Sequence, residues 1–159
     1  MKVLVTGSSG LIGSMLVNAL SDNFEISALD ARRSDHAPDV PTLIADGSDY
    51  DTMSKAFAGV DAVIHLAAKA PVETPWPDVL KNNISATHNV YEAARQNGVK
   101  RVVFASSNHA VGNFEMDEPY SKIRVGDYKG LTPGGFKMID HNVPVRPDSD
   151  YGVSKAFGE

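Results

Sequence analysis

The sequence predicts an α/β fold, a doubly wound parallel sheet with strand order 3-2-1-4-5. Three observations predict it. Short β-rich runs alternate with longer helical patterns along the chain, the form that parallel strands take when helical crossovers join them. Glycines recur every third residue between the first such run and the first helical pattern. With 159 residues, 42% of them hydrophobic, the chain is long enough to close one domain around a sizeable core.

Each element has its own signal. Lys2-Val3-Leu4-Val5 reads as a buried first strand. Residues 11–20 read as a helix, with apolar positions at Leu11, Met15, Leu16, Ala19 and Leu20. Residues 25–29 and 42–45 read as the second and third strands. A short helix over 48–58 closes at Gly59, and residues 62–66 form the fourth strand. A long helix over about 77–96 stops at Asn97-Gly98, before a fifth strand over 101–105. From Gly112 to Asp150 glycine, proline and charge dominate, which predicts a long irregular loop of functional or mobile character. A last helix starts at Tyr151, with Asp148, Ser149 or Asp150 as its cap.

Composition removes several function classes. The formal net charge of -5 argues against a nucleic-acid or anionic-membrane partner, which calls for a basic patch. No apolar run approaches the ~20 residues that cross a bilayer, and the polar Thr6 comes too early for a signal peptide. The absence of cysteine excludes disulfides, thiolate metal sites and thiol nucleophiles. No His, Asp and Glu set has metal-ligand spacing, so no metal is expected, and the expected location is cytoplasmic.

The glycine loop carries the first chemistry. In Thr6-Gly7-Ser8-Ser9-Gly10-Leu11-Ile12-Gly13 the first glycine permits a tight turn and the second lets backbone approach a pyrophosphate. The third lets the helix pack closely on the sheet. The helix N-terminus then offers N–H groups and a favourable dipole to phosphates. The arrangement is of Rossmann type, and the expected cofactor contacts there are Gly7, Ser9, Gly10, Leu11, Ile12 and Gly13. Asp30 ends the second strand about 20 residues further on, where a carboxylate accepts from ribose hydroxyls and repels a 2′-phosphate. NAD is therefore expected before NADP, although Arg32 and Arg33 are residues of the kind that accommodate NADP. Asp46 is placed to reach the adenine edge or to cap the next helix, and the two roles are compatible.

These residues resemble the extended short-chain dehydrogenase/reductase superfamily, in its NAD-dependent epimerase/dehydratase branch. The glycine loop, Asp30, Asp46-Gly47, His65-Leu66-Ala67-Ala68, Asn83, Phe104-Ala105-Ser106-Ser107 and Tyr151-Gly152-Val153-Ser154-Lys155 stand in the family's order. Ser106-Ser107-Asn108-His109 and the stretch from Tyr151 to Glu159 are most similar to uronate dehydrogenases and related sugar dehydrogenases. The resemblance implies cofactor contacts at Gly47, Leu66, Ala67, Ala68, Asn83, Tyr151 and Lys155. His65 reads instead as a residue packed at a strand end, and Trp76 as the anchor of a helix start.

A Tyr-x-x-x-Lys pair on a helix puts both side chains on one face, a turn apart. A phenol ionises near pH ~10 and is a poor base at neutrality, and a neighbouring ammonium stabilises the phenolate. By resemblance Tyr151 is the general acid/base, and Lys155 tunes it while holding the nicotinamide ribose. Ser107 then hydrogen-bonds the reacting oxygen, and Asn108 and His109 contact sugar hydroxyls. Full members of the family are longer. Against them the chain is expected to lack later strands, the small substrate domain and a carboxylate-binding arginine. A helix confined to residues 151–159 is below the ~12–15 residues at which isolated helices become marginal, so Tyr151 and Lys155 are expected to be poorly placed. The fifth strand becomes an open sheet edge, and the family's dimer interface is expected to be compromised. Three readings stay open: a sugar or uronate dehydrogenase passing hydride to NAD, a nucleotide-sugar epimerase or dehydratase, and an NAD-binding fragment without turnover.

Overall fold

The computed structural model describes residues 1–35 and 39–159. Its centre is one five-stranded sheet of order β3-β2-β1-β4-β5. The strands are β1 (Lys2–Thr6), β2 (Glu25–Asp30), β3 (Thr42–Ile44), β4 (Ala62–His65) and β5 (Arg101–Phe104). Every pairing is parallel, with Leu4 opposite Ser27 on one side and Val63 on the other. This is the Rossmann-like order expected from the sequence.

Alternation along the strands divides the core between two faces. Leu4, Leu29 and Val63 point to one face, where they pack with Met53, Phe57, Val90 and Ala93. Those partners come from α2 (Tyr50–Met53), the 3₁₀ turn Ser54–Phe57, and α4 (Ala86–Gln96). Val3, Val5 and Ile26 point to the other face, against Val17 of α1 (Leu11–Leu20). Asp49 caps α2 by accepting from the Thr52 N–H at 3.2 Å. Asp46, one of the two roles foreseen for which was that cap, instead accepts from the backbone and hydroxyl of Ser48 and pairs with Lys81.

Helix α1 departs from its predicted facing. Its buried residues are Gly13, Ser14 and Val17, while Leu11, Ile12 and Met15 are 81%, 60% and 64% exposed. The reason lies in the loop before it. A Cβ at Gly13 would lie 2.1 Å from the Gly7 carbonyl oxygen, so this contact fixes the rotation of the helix, whatever its apolar stripe prefers.

The long helix is also not uniform. α3 (Trp76–Val79) runs into a π-helical segment, Leu80–Ser85, and then into α4. Such segments put an extra residue into a turn and re-aim side chains. The stretch from Gly112 to Asp150 is more ordered than a loop. It holds a 3₁₀ turn (Gly112–Met116) and a short helix α5 (Tyr120–Arg124), and residues 109–113 pair by backbone bonds with 146–148. α6 (Asp150–Gly158) follows, capped by Ser149, whose hydroxyl accepts from the Gly152 N–H at 3.0 Å.

Helix α6 is docked, against the expectation that a short terminal helix would leave Tyr151 and Lys155 poorly placed. Tyr151, Ser154 and Lys155 are buried. The Asn83 amide donates to Ser154 Oγ at 3.0 Å, the Tyr91 hydroxyl donates to the Gly158 carbonyl, and Lys155 Nζ donates to the Ala105 carbonyl at 2.7 Å. Polar anchors from the π segment, α4 and the end of β5 hold the helix. β5 is an edge of the sheet, with Val103 51% exposed.

Candidate active site

Two regions meet at the C-terminal ends of the strands, where open α/β sheets place their ligands. The first is a cleft of about 710 Å³. Gly7, Ser9 and Gly10 form its floor, Asp30, Ala31 and Arg32 one side, and Leu66, Ala67 and Ala68 the other. Asp46 and Gly47 close its far end. Gly7 has φ +73°, and a Cβ there would meet the Ala67 nitrogen at 2.6 Å. Only glycine lets the loop and the β4 end approach this closely. No side chain caps α1 at Gly10, and Gly10 itself lines the cleft, so the uncapped helix start stands beside it, the kind of terminus whose free N–H groups suit an anion.

Asp30 is held rigidly. One carboxylate oxygen accepts from the Ser9 N–H at 2.8 Å and the other from the Arg32 N–H at 3.2 Å. Arg32 Nε in turn donates to Ser9 Oγ at 3.2 Å. An ionised carboxylate still has acceptor sites to spare for ribose hydroxyls. The Lys81 ammonium and the Ser48 donors beside Asp46 lower its carboxyl to about 2, so it is anionic across the neutral range.

Asn83, expected at the cofactor, stands behind the wall. Its Oδ1 accepts from the Lys69 N–H at 2.7 Å, and Nδ2 donates to the Lys69 carbonyl and Ser154 Oγ. The neighbouring Asn82 lines the cleft instead. Leu11, Ile12 and Gly13 lie just beyond the cleft lining, with the first two exposed and the third buried under the loop.

A buried relay supports the same wall. His65 Nδ1 pairs with Thr6 Oγ1 at 2.6 Å, and Nε2 pairs with Thr87 Oγ1 at 3.0 Å. Burial, with the nearby Lys155 charge, lowers the imidazole to about 4, so it is neutral. Thr6 Oγ1 also accepts from the Ala67 N–H. Nothing in the local sequence distinguishes this relay from plain strand-end packing.

The second region gathers Ser107, His109, Tyr151 and Lys155. Lys155 Nζ lies 4.9 Å from the Phe104 ring centroid and 5.6 Å from that of Tyr151. Burial lowers the lysine pKa, and the Ala105 carbonyl and the two ring faces compensate the charge. Ser107 Oγ accepts from the His109 N–H at 3.2 Å and caps the 3₁₀ turn Asn108–Ala110. Asn108 is exposed beside it. His109 meets Tyr151 edge to face, with ring centroids 5.8 Å apart. Its Nδ1 lies 2.7 Å from Asp148 Oδ2, a partner the sequence offered only as a helix cap. Ser106, by contrast, turns away to Glu159. Among the described residues no three His, Asp or Glu side chains converge as a metal site, and no helix is long and apolar enough to cross a membrane.

Residues 3–159 match the NAD dependent epimerase/dehydratase family. The chain belongs to that family. It is 35% identical to an L-arabinose 1-dehydrogenase (NAD(P)(+)) of Haloferax volcanii, with 99% of this chain and 58% of the relative covered. It is equally similar to a uronate dehydrogenase of Pseudomonas syringae pv. tomato, at 35% identity and covering 99% and 51%. A crystal structure of a mutant uronate dehydrogenase from Agrobacterium tumefaciens, complexed with NAD, superposes with a TM-score of 0.76 at 33% identity, covering 99% and 52%. The chain thus spans about half the length of the relatives it matches.

Proposed function

We propose that residues 1–159 form an NAD-binding module of a sugar dehydrogenase, acting on a uronate or a related aldose. One observation carries this reading. Tyr151 and Lys155 are buried on one face of a docked helix, and Lys155 is bonded at the end of β5, the strand beside β4, whose own end lines the glycine-loop cleft.

The cleft fits a dinucleotide by its own features: an uncapped helix N-terminus for the pyrophosphate, a fixed carboxylate for the ribose, and small residues along the opposite wall. In this reading Gly7, Ser9 and Gly10, with the helix start at Leu11 and Ile12, hold the phosphates, Gly13 lets that helix pack against the loop, Asp30 holds the adenosine ribose, and Asp46 and Gly47 the adenine end. Leu66, Ala67 and Ala68 leave room for the chain of the cofactor. Asn83 positions this wall and Ser154 together. NAD is favoured over NADP because Asp30 places negative charge where a 2′-phosphate would sit. The chemistry that NAD supplies when bound is acceptance of hydride from a C–H bond.

The rest is work for the chain's own side chains. Tyr151 Oη takes the proton of the sugar hydroxyl as that carbon is oxidised. Lys155, held over the Tyr151 ring, stabilises the phenolate. Ser107 donates to the reacting oxygen, and Asn108 and His109 contact neighbouring hydroxyls.

Calorimetric titration with NAD and NADP, followed by galacturonate and absorbance of NADH, tests the reading. NAD is expected to bind more tightly than NADP. Tyr151→Phe is expected to keep that binding and to lower turnover at least ~100-fold. Absence of NAD binding would sink the reading.

A further inference from the structure

His109 and Asp148 are 39 residues apart in sequence, yet the fold builds their contact deliberately. The Asp148 N–H donates to the His109 carbonyl at 3.3 Å, Arg146 N–H to the Ala110 carbonyl at 2.9 Å, and Asn113 N–H to the Arg146 carbonyl at 2.9 Å. Asn113 Nδ2 adds a bond to the Pro147 carbonyl at 2.8 Å. Two glycines make the space. A Cβ at Gly112 would fall 2.0 Å from Asp148 Oδ2, and one at Gly152 would fall 2.3 Å from the His109 carbonyl oxygen. Neither glycine has a positive φ, so close approach is the reason for both.

The direction of the contact follows from charge. Burial acts to raise the Asp148 carboxyl, but hydrogen bonds from His109 and Ser149 outweigh it and hold it below its ordinary value. An ionised carboxylate only accepts. His109 Nδ1 must therefore carry a proton, and in the neutral imidazole the bare nitrogen is Nε2. Among the described residues nothing pairs with Nε2, and the ring lies edge to face with Tyr151.

We propose that Asp148 is a positioning residue that fixes His109 in the Nδ1–H form, so that Nε2 accepts a hydrogen bond from a sugar hydroxyl beside Tyr151. The inference rests on the sugar dehydrogenase reading and deepens it. His109 selects a hydroxyl donor at that place, and a methyl ether there lacks the proton it needs.

The test is ¹⁵N NMR of the histidine-labelled chain at pH 8, with His109 assigned by His109→Gln. The wild type is expected to show Nδ1–H at His109. Asp148→Ala is expected to move it to the Nε2–H form that unpartnered imidazoles favour, while Asp148→Asn, whose amide oxygen still accepts, keeps Nδ1–H. Nε2–H in the wild type, or no change in Asp148→Ala, overturns the proposal without touching the dehydrogenase reading. Galacturonate added to the NAD-loaded chain is expected to shift the His109 Nε2 resonance, and Asp148→Ala to raise KM on the order of tenfold with a smaller change in kcat. If other resonances move and His109 does not, its role as acceptor fails. If none moves, the sugar reading fails and takes the substrate half of the proposal with it.

Discussion

His65 shows how one side chain ties the fold to pH. It is 1% exposed, satisfied by two threonine hydroxyls, and lowered to about 4 by burial. Its unfolded value is near 6.5, so between these two values the unfolded chain binds the proton and the folded chain refuses it. The stability this group contributes is full above pH 6.5 and is lost as pH falls toward 4, by up to ~3 kcal/mol. Urea denaturation at steps from pH 7 to pH 4 is expected to show that loss. His65→Gln, which cannot be protonated, is expected to flatten the curve, and an equal slope in both would place the effect elsewhere. Gly7 makes a second case at this scale. Gly7→Ala adds a Cβ 2.6 Å from the Ala67 nitrogen at φ +73°, and is expected to destabilise by about 2–3 kcal/mol and abolish NAD binding. Thermal unfolding and calorimetry measure the two losses separately.

Among the elements, α6 depends on the π segment. Asn83 links the Lys69 backbone to Ser154 through three bonds and is 2% exposed. Asn83→Leu is close in size but leaves the Lys69 N–H and carbonyl unpaired, and is expected to cost about 2–4 kcal/mol. Hydrogen exchange should then rise in residues 150–158 before it rises in β1; uniform loosening would show that Asn83 does not single out this helix. The strands around β1 were legible because their runs are short, apolar and bounded by turns. The facing of α1 was not, because the contact of Gly13 with the Gly7 carbonyl overrides the stripe. The π segment leaves no trace in a side-chain pattern that still alternates at helical spacing. The order within 112–150 comes from backbone pairing of residues 109–113 with 146–148, which has no local signature. Tyr151, Lys155, Ser107 and His109 were readable as a group by their resemblance to a family. Asp148 was not, since a residue before a helix reads as a cap wherever its side chain goes.

Across the whole molecule, the cleft touches the loop after β1, the ends of β2 and β4, and residue Ala86 of α4. The wall at Leu66–Ala68 is braced from behind by Thr6 and His65 on one side and by Asn83 and α6 on the other. A ligand in this cleft therefore bears on several strand ends and on α4 at once. It raises the stability of the chain as a unit and does more than quiet a loop. Binding to the folded state alone stabilises by about 2.7 kcal/mol at a hundred times Kd, which for a domain of this size corresponds to roughly 5–10 °C in Tm. NAD at saturation is expected to raise Tm by that amount and NADP by less, if Asp30 faces the 2′ position as proposed. Asp30→Ala removes the opposing charge and leaves Arg32 beside Ser9, and it is expected to reverse the order of the two shifts. Scanning calorimetry of both proteins with each cofactor decides the point. Equal shifts for NAD and NADP in the wild type would mean that Arg32 already balances Asp30, and that this cleft does not discriminate between them.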